Sequence, residues 1–392
     1  MEIRYNLLMV NFDVARDWVI LLPPDAAHVK KAAEDLSRYI GLLAGLNKGR
    51  SSKQTIPGPA ITDASGPVSS GAVIVLNNEG ESPESGCSRA AGRGSHPVRN
   101  GFSWRARPER VEIYGESGRG LCNGIYSFLA ALGISWPAPG QETLPLPPAK
   151  DPVGSVPSPS LNFPLTVDHS NEPSRFEGSN SAAAPWRRFV PAGKETVNRI
   201  LKKSEAFAAW AARRRYDALI FPLTAFASGN TGRKLRELGK FAGEYDIVLE
   251  AGGRDLSSLV PRKYFFFHRD FFRMVEGKRV KAHHFCPTNP GTIRLIGSEG
   301  GRLFRAAQEI KIFHLWPDKG EETTWCSCPT CRAFTPAEQN RIGVNTAADI
   351  LAALNPGAFI TYFEKSEEGG NIPLRKNLFR MEKLPEEKEF HN

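Results

Sequence analysis

The sequence lacks any uninterrupted apolar run of the roughly 18 residues that a membrane-spanning helix requires. Its first residues, MEIRYNLLMVNFDVARDW, also lack the charged region, apolar region and small-residue cleavage site of a secretory signal peptide. From these two absences we expect a soluble protein of the cytoplasm that has no membrane partner.

Basic charge is present but is not concentrated in a nucleic-acid-binding pattern. The net charge is +9, yet Lys and Arg are spread along the chain. The densest run, Arg213-Arg214-Arg215, ends a predicted helix, where cations complement the helix dipole. Because no aromatic-basic motif accompanies the charge, we expect no nucleic-acid partner. Binding through the charge alone would weaken steeply with salt.

Cysteine is scarce, with six in 392 residues, but three of the six lie together in WCSCPTCRAFTPAEQN, residues 325–340. In a reducing compartment clustered cysteines are more typical of thiolate ligands than of disulfides. The C-x-C-x2-C spacing lets three thiolates converge on one tetrahedral ion, and zinc is the expected cofactor. The predicted ligands are Cys286, Cys326, Cys328 and Cys331, with His283, His284 and His314 as alternatives for the fourth position. The competing interpretation is unligated thiols or disulfides, without any cofactor.

Proline marks a domain boundary. A chain of 392 residues is long enough for two cores. The stretch PAPGQETLPLPPAKDPVGSVPSPSLNFP is too rich in proline to lie inside a helix or strand. We therefore predict an N-terminal α/β domain over 1–145, a linker over 146–164 and a second domain over 165–392.

The second domain alternates strand and helix patterns. Such alternation is typical of a parallel sheet, and its many repeats favour a (β/α) TIM-type barrel. About seven strands can be counted against the eight of a closed barrel, so either one strand is missed or the barrel is incomplete at its C-terminal end. The predicted strands of this domain include Leu165–Val167, Tyr216–Leu223, Asp246–Leu249, His283–Cys286, Ile310–Trp316 and Ala358–Phe363, and a helix is predicted over 195–215. In the N-terminal domain, the apolar run Trp18–Leu22 predicts a further strand. A helix over 336–354 has Thr335 as N-cap, Pro336 in its first turn and Glu338 completing a capping box.

Two groups of motifs carry a resemblance. The segments ILLPPDAAHVKKAAEDLSRYIGLLAG and GFSWRARPERVEIYGESGRGLCNGIYSFLAALGISWPAPGQE resemble the accessory domain 2 of β-hexosaminidases and α-glucuronidases. The second half resembles an uncharacterised bacterial barrel family in the ordered motifs AGGRDLS, HRD, GKR, CPTNP and WPDKGEETTWCSCPTC. The family pattern has Gly-Gly-His and His-Pro-Glu where this chain has Arg254 and His268-Arg269-Asp270. The resemblance implies a glycosidase-like architecture, an α+β N-terminal domain and a carbohydrate ligand.

Acids at predicted strand ends are the candidates for chemistry. Glycoside hydrolysis usually requires two carboxyl groups, about 5 Å apart for retention or 6.5 to 9.5 Å for inversion. Glu250, Asp318 and Glu364 each follow a predicted strand, and Asp318 also matches the family pattern. Lys319 follows Asp318, so the hexosaminidase Asp-Glu neighbour pair is absent.

The predicted function is that of a glycoside-hydrolase-like protein with Asp318 as acid or nucleophile opposite Glu250 or Glu364. The predicted substrate-binding residues are Trp316, Trp325, His314 and His284. The alternative is a non-catalytic carbohydrate-binding protein with a structural metal or thiol cluster, and the sequence leaves open whether the protein is an enzyme.

Overall fold

A computed structural model provides the fold. It describes residues 11–14, 16–24, 26–47, 57–63, 72–77, 101–107, 109–145, 162–164, 177–180, 187–321, 323–365 and 371–389. These residues form two main sheets with helices packed beside them, which confirms the predicted α/β class. Within these ranges no helix combines the length and apolar character needed to cross a membrane.

The N-terminal half is built on a six-stranded sheet. Its strands, in spatial order, are Ala60–Asp63, Trp18–Leu22, Ala72–Asn77, Arg110–Gly115, Phe102–Arg107 and Glu177–Asn180. Phe102–Arg107 is antiparallel to both neighbours, and the other pairs are parallel. The helices Lys30–Asn47 and Gly118–Ala131 pack beside this sheet. Glu177–Asn180 joins this sheet although it lies beyond the predicted linker.

The C-terminal half is built on a seven-stranded parallel sheet. Its strands, in spatial order, are Leu378–Met381, Phe359–Phe363, Ile312–Leu315, Val248–Gly253, Ala218–Phe221, Arg188–Pro191 and Glu387–Lys388. Every pair is parallel. The α-helices of this half are Gly193–Lys202, Ser204–Arg213, Leu223–Phe226, Gly229–Gly243, Pro290–Ala306 and Pro336–Leu354.

Short elements complete the described chain. Four 3-10 turns span Leu256–Leu259, Arg262–Phe266, Arg269–Phe271 and Cys331–Ala333. Two small antiparallel pairs join Asn11–Asp13 to Asn162–Pro164 and Met274–Val275 to Lys278–Arg279.

The sheet is open among the described residues, because Leu378–Met381 and Glu387–Lys388 each pair with one neighbour only, so a complete TIM barrel is not observed. The structure corrects two other sequence predictions for this half. The helix predicted over 195–215 is interrupted at Lys203. Residues 283–286 form no strand, since Phe285 makes only an isolated bridge to Phe272. The strand predicted at 165–167 lies outside the described residues.

Buried ion pairs join the two halves. Arg119, on a helix of the N-terminal half, lies 3.6 Å from Asp217, which precedes a strand of the parallel sheet. Asn123 donates to the same carboxylate at 3.0 Å. Asp35 accepts two hydrogen bonds from Arg213, at 2.9 and 3.0 Å. Since buried charges must be paired to be tolerated, these contacts fix the halves in one orientation.

Candidate metal centre and acidic rim

Four cysteines from two loops meet beside the carboxyl end of the parallel sheet. Cys326, Cys328 and Cys331 lie in the loop between Ile312–Leu315 and Pro336–Leu354. Cys286 comes from the long connection before Ile312–Leu315. It was predicted at the end of a strand, but it is positioned instead by its backbone N–H, which donates to the carbonyl of Phe271 at 2.9 Å.

The sulfur geometry fits a single tetrahedral ion. The Cys286 Sγ lies 3.8 Å from the Sγ of Cys328 and 3.7 Å from that of Cys331. All four sulfur atoms lie within 4.8 Å of one another. A tetrahedron with zinc–sulfur bonds of about 2.3 Å has edges of about 3.8 Å. The cluster could therefore hold one metal ion without rearrangement of its backbone.

Hydrogen-bond donors around the sulfur atoms favour a thiolate at Cys286, whereas the hydrogen bonds with Cys286 raise the pKa of Cys326 to about 11 and also raise the pKa of Cys331. The Met274 N–H donates to the Cys326 Sγ at 3.3 Å, and the Arg279 guanidinium lies 3.7 Å from the same atom. Thr288 Oγ1 is 3.1 Å from the Cys331 Sγ. Hydrogen bonds from the Cys326 and Cys331 thiols hold the pKa of Cys286 far below its ordinary value. All four cysteines are buried, so the site is closed, as structural zinc sites are.

Gln339 fixes the loop that carries three of the cysteines. Its Oε1 accepts from the Cys326 N–H at 3.0 Å, and its Nε2 lies 3.1 Å from the Cys326 carbonyl and 3.2 Å from that of Cys331. Gln339 belongs to the helix that the Thr335–Glu338 capping box begins. The first turn of this helix therefore holds the backbone of the cysteine loop.

Asp318 lies directly after the strand Ile312–Leu315, at the sheet rim. Its Oδ1 accepts from the Ser257 hydroxyl at 2.8 Å. Its Oδ2 lies 3.1 Å from His283 Nδ1 and 3.9 Å from an Arg262 nitrogen. Asp318, in the loop that follows its own strand, therefore contacts the connection that follows the neighbouring strand Val248–Gly253.

His283 joins Asp318 to a second carboxylate that the sequence did not indicate. The His283 Nε2 lies 3.4 Å from Glu321 Oε1, on the opposite side of the ring from Asp318. Glu321 also accepts from Arg273 at 2.8 Å, and this hydrogen bond lowers the pKa of Glu321. His283 has a backbone φ of 60°, in the left-handed region that non-glycine residues seldom adopt. Such strain persists only where surrounding contacts enforce it.

Asp255 is a further acid at the rim. It follows the strand Val248–Gly253 and accepts from the Leu223 N–H at 2.6 Å. Burial, together with the nearby negative charge of Asp318, raises the pKa of Asp255 to about 6. Its place just past a parallel strand is the signal that could have identified it, as it did Asp318.

Glu250 belongs to a fully buried polar chain. Its Oε2 contacts Arg188 at 2.8 Å and His314 Nε2 at 2.9 Å. The His314 Nδ1 lies 2.6 Å from the Thr361 hydroxyl, to which Trp316 also donates at 3.0 Å. Burial alone would raise the pKa of Glu250, but its two basic neighbours lower it. Burial lowers the pKa of His314, and the Glu250 carboxylate opposes this shift.

The remaining predicted site residues have other partners. Glu364 makes a two-point ion pair with Arg341 of the adjacent helix, both contacts being 2.9 Å. Trp325 is buried and stacks on His284 with ring centroids 4.3 Å apart. His284 Nε2 also lies 2.9 Å from the Glu321 carbonyl. Trp316 is 2% exposed, so neither tryptophan offers an open ring face.

Comparison with solved structures identifies the fold. The chain is similar to the chitobiase of Flavobacterium johnsoniae, with a TM-score of 0.51 and 14% identity over 95% of this chain. It spans about half of that chitobiase, 52% of its length. A β-N-acetylhexosaminidase from Bacteroides fragilis aligns with 95% of this chain and 66% of its own, at 13% identity and a TM-score of 0.44. No family model matches the sequence, and no curated protein matches it. At 14% identity the likeness to the chitobiase concerns the fold, which is hexosaminidase-like.

Proposed function

We propose that this chain is a glycoside-hydrolase-like protein that binds a carbohydrate at the carboxyl-end rim of its parallel sheet. The observation that carries the proposal is the pair Asp318 and Glu321, held on either side of His283. Active sites of β/α folds lie at this end of the sheet, where loops from neighbouring strands meet. We also propose the domain organisation that the sequence resemblance implies. Residues 1–145 would form a domain like the accessory domain 2, residues 146–164 a linker, and residues 165–392 a domain like that of the uncharacterised barrel family.

Asp318 and Glu321 have a separation and environment suited to acid–base chemistry. Their shared contacts to one imidazole ring limit the separation of the two contacting carboxylate oxygens to about 9 Å, an upper bound that admits both the retaining and the inverting distance. Arg273 favours ionised Glu321, which suits this residue to take a proton from the attacking water. Asp318 would give its proton to the departing glycosidic oxygen. As the new carbon–oxygen bond forms, the glycosidic bond breaks.

The acids that the sequence paired with Asp318 have other partners. Glu364 is occupied by Arg341, and Glu250 is enclosed with Arg188. Either would have to leave an ion pair to act on a substrate. Glu321 therefore replaces them in this proposal as the acid opposite Asp318.

Zinc is the ion proposed for the four cysteines. It would connect the loop that holds Cys286 and His283 to the loop that holds Asp318, Glu321 and the other three cysteines. The ion would then hold Asp318 and Glu321 in fixed positions relative to His283. A tetrahedral set of four sulfurs also suits a single iron ion, which would give a coloured protein, whereas zinc would not.

The test is hydrolysis of chitobiose and aryl N-acetyl-β-hexosaminides, the substrate class suggested by the chitobiase neighbour. We expect Asp318→Asn and Glu321→Gln each to lower kcat by about a hundredfold or more. Asp349→Asn, at an exposed acid on a helix, is the control and should leave kcat unchanged. Wild-type turnover that survives in both rim variants would refute the assignment.

A carbohydrate-binding protein without hydrolysis is the second candidate. It is favoured by the ion pairs that occupy Glu250 and Glu364, since they reduce the number of acids free to react. Calorimetric binding of a glycan that is never cleaved, and that is weakened by Asp318→Asn, would select this candidate over the enzyme.

A further inference from the structure

Two phenylalanines project into solvent from the long connection that precedes Cys286. Phe266 is 71% exposed and Phe267 is 85% exposed. The next most exposed large apolar side chain of the described residues is Phe379, at 42%. Exposure of two adjacent phenyl rings to water is unfavourable, and binding to a partner would bury them. The pair therefore indicates a binding surface.

A rigid base holds these rings outward. Phe265 packs edge-on against buried Phe272, with centroids 5.2 Å apart. The His268 ring stacks on the Phe271 ring with centroids 4.5 Å apart, and the backbone N–H of His268 donates to the Tyr264 carbonyl at 2.8 Å. The Phe271 carbonyl accepts from the Cys286 N–H, which links the base to the cysteine cluster. The rings are thus presented by a preorganised turn, which reduces the entropy lost on binding.

Cations surround the exposed rings. The Lys281 ammonium lies 4.5 Å from the centroid of Phe266. The Lys263 ammonium lies 5.2 Å from the ring of Tyr264, and the Arg269 guanidinium lies 5.7 Å from that of Phe265. We call Phe266, Phe267, Lys263, Arg269 and Lys281 the aromatic-basic tip. One acid, Asp270, lies beside this tip and accepts a hydrogen bond from Asn289 at 2.7 Å.

We propose that the aromatic-basic tip docks the protein on an anionic lipid surface. Phenyl rings flanked by Lys and Arg suit the membrane interface, where apolar groups enter the acyl boundary and cations meet lipid phosphates. Phenylalanine has no polar group that must remain hydrated, so its ring can enter the acyl boundary. Because both rings are strongly exposed, the tip protrudes from the surface and does not form a groove. A protruding apolar tip fits a lipid surface better than a glycan chain. This proposal does not depend on hydrolysis at Asp318. It departs from the sequence-based expectation of no membrane partner, which considered only membrane-spanning helices and a signal peptide.

Vesicle co-sedimentation of the full chain tests the proposal. We expect binding to phosphatidylcholine vesicles that contain phosphatidylserine, and little binding to phosphatidylcholine alone. Phe266→Ser with Phe267→Ser should weaken binding by about tenfold or more, because two apolar side chains leave the bilayer. Lys263→Glu with Lys281→Glu should abolish the preference for anionic vesicles.

The control variant is Leu374→Ser, at an apolar side chain outside the tip that is 37% exposed. It should bind vesicles as the wild type does, and circular dichroism should show that every variant is folded. No binding to anionic vesicles, or equal binding after loss of both phenylalanines, would overturn the proposal. Binding of soluble polygalacturonate that needs both rings, with no vesicle binding, would overturn it in favour of an acidic glycan.

Discussion

Replacing Asp255 by Asn should change how stability depends on pH. The carboxyl of Asp255 is desolvated and lies near the charge of Asp318, and its pKa rises from an ordinary 3.8 to about 6. A difference of about two pKa units corresponds to roughly 3 kcal/mol. This value is an upper bound on the penalty of holding the charged form in the folded protein.

The sign follows from which state binds the proton more tightly. At a pH below the pKa of Asp255 in the unfolded chain, Asp255 is protonated in both the folded and the unfolded state and does not change the free energy of unfolding. As the pH rises from there through about 6, the unfolded chain gives up the proton more readily, so the free energy of unfolding falls. Asn stays neutral and keeps a carbonyl oxygen that can accept from the Leu223 N–H. Asp255→Asn should therefore stabilise the protein by up to about 3 kcal/mol at neutral pH and by little in acid.

Urea unfolding of the wild type and of Asp255→Asn, in acid and above neutral pH, measures this difference directly. Asp349→Asn provides the control, since this acid is exposed and its loss should shift stability only slightly at either pH. The reasoning fails if Asp255→Asn is less stable than the wild type above neutral pH. It also fails if the substitution changes the free energy of unfolding equally in acid and above neutral pH, because the charged form of Asp255 would then not destabilise the folded protein.

Two further predictions concern ligands and ion pairs. Cys286→Ser should lose stoichiometric metal, because it removes one of the four sulfur ligands. Cys122→Ser, at a buried cysteine far from the cluster in sequence, should retain the metal. Elemental analysis of both purified variants measures this difference. Asp217→Asn should lower the free energy of unfolding by about 3 kcal/mol, because it leaves the buried Arg119 charge without its partner. Asp349→Asn should cost well under 1 kcal/mol in the same denaturation series, and similar losses in the two variants would contradict the reasoning.

Local signals were sufficient where one residue type decides the structure. The capping box at Thr335 and Glu338 predicted the helix Pro336–Leu354, and the structure confirms both of its ends. Trp18–Leu22 was predicted from an apolar run, and the structure places a strand at the same residues. In both cases the information lies within a few consecutive residues.

Long-range placement could not be predicted in the same way. Cys286 was chosen for the metal cluster on the premise of a strand end, yet a hydrogen bond to Phe271 in an irregular connection places it there. Arg188–Pro191 was not recognised as a strand because it is four residues long and contains an arginine. That arginine points to Glu250 from a neighbouring part of the sheet, a contact that depends on the tertiary fold.

The sequence also did not indicate how the rim acids are grouped. Glu321 lies in a loop with no periodic pattern. Its backbone N–H donates to the Asp318 carbonyl at 3.1 Å, and its carboxylate meets that of Asp318 through His283 from a different loop. Because the cysteines connect these same loops, the metal ion and the acid pair belong to one arrangement in this account.

The most direct test of that arrangement is the metal content of protein purified under reducing conditions without chelator, measured together with its reactive thiols. The account predicts one equivalent of zinc per chain and four of the six thiols that react only after a chelator removes the ion. No stoichiometric zinc, with a thiol count that chelation does not change, would contradict it.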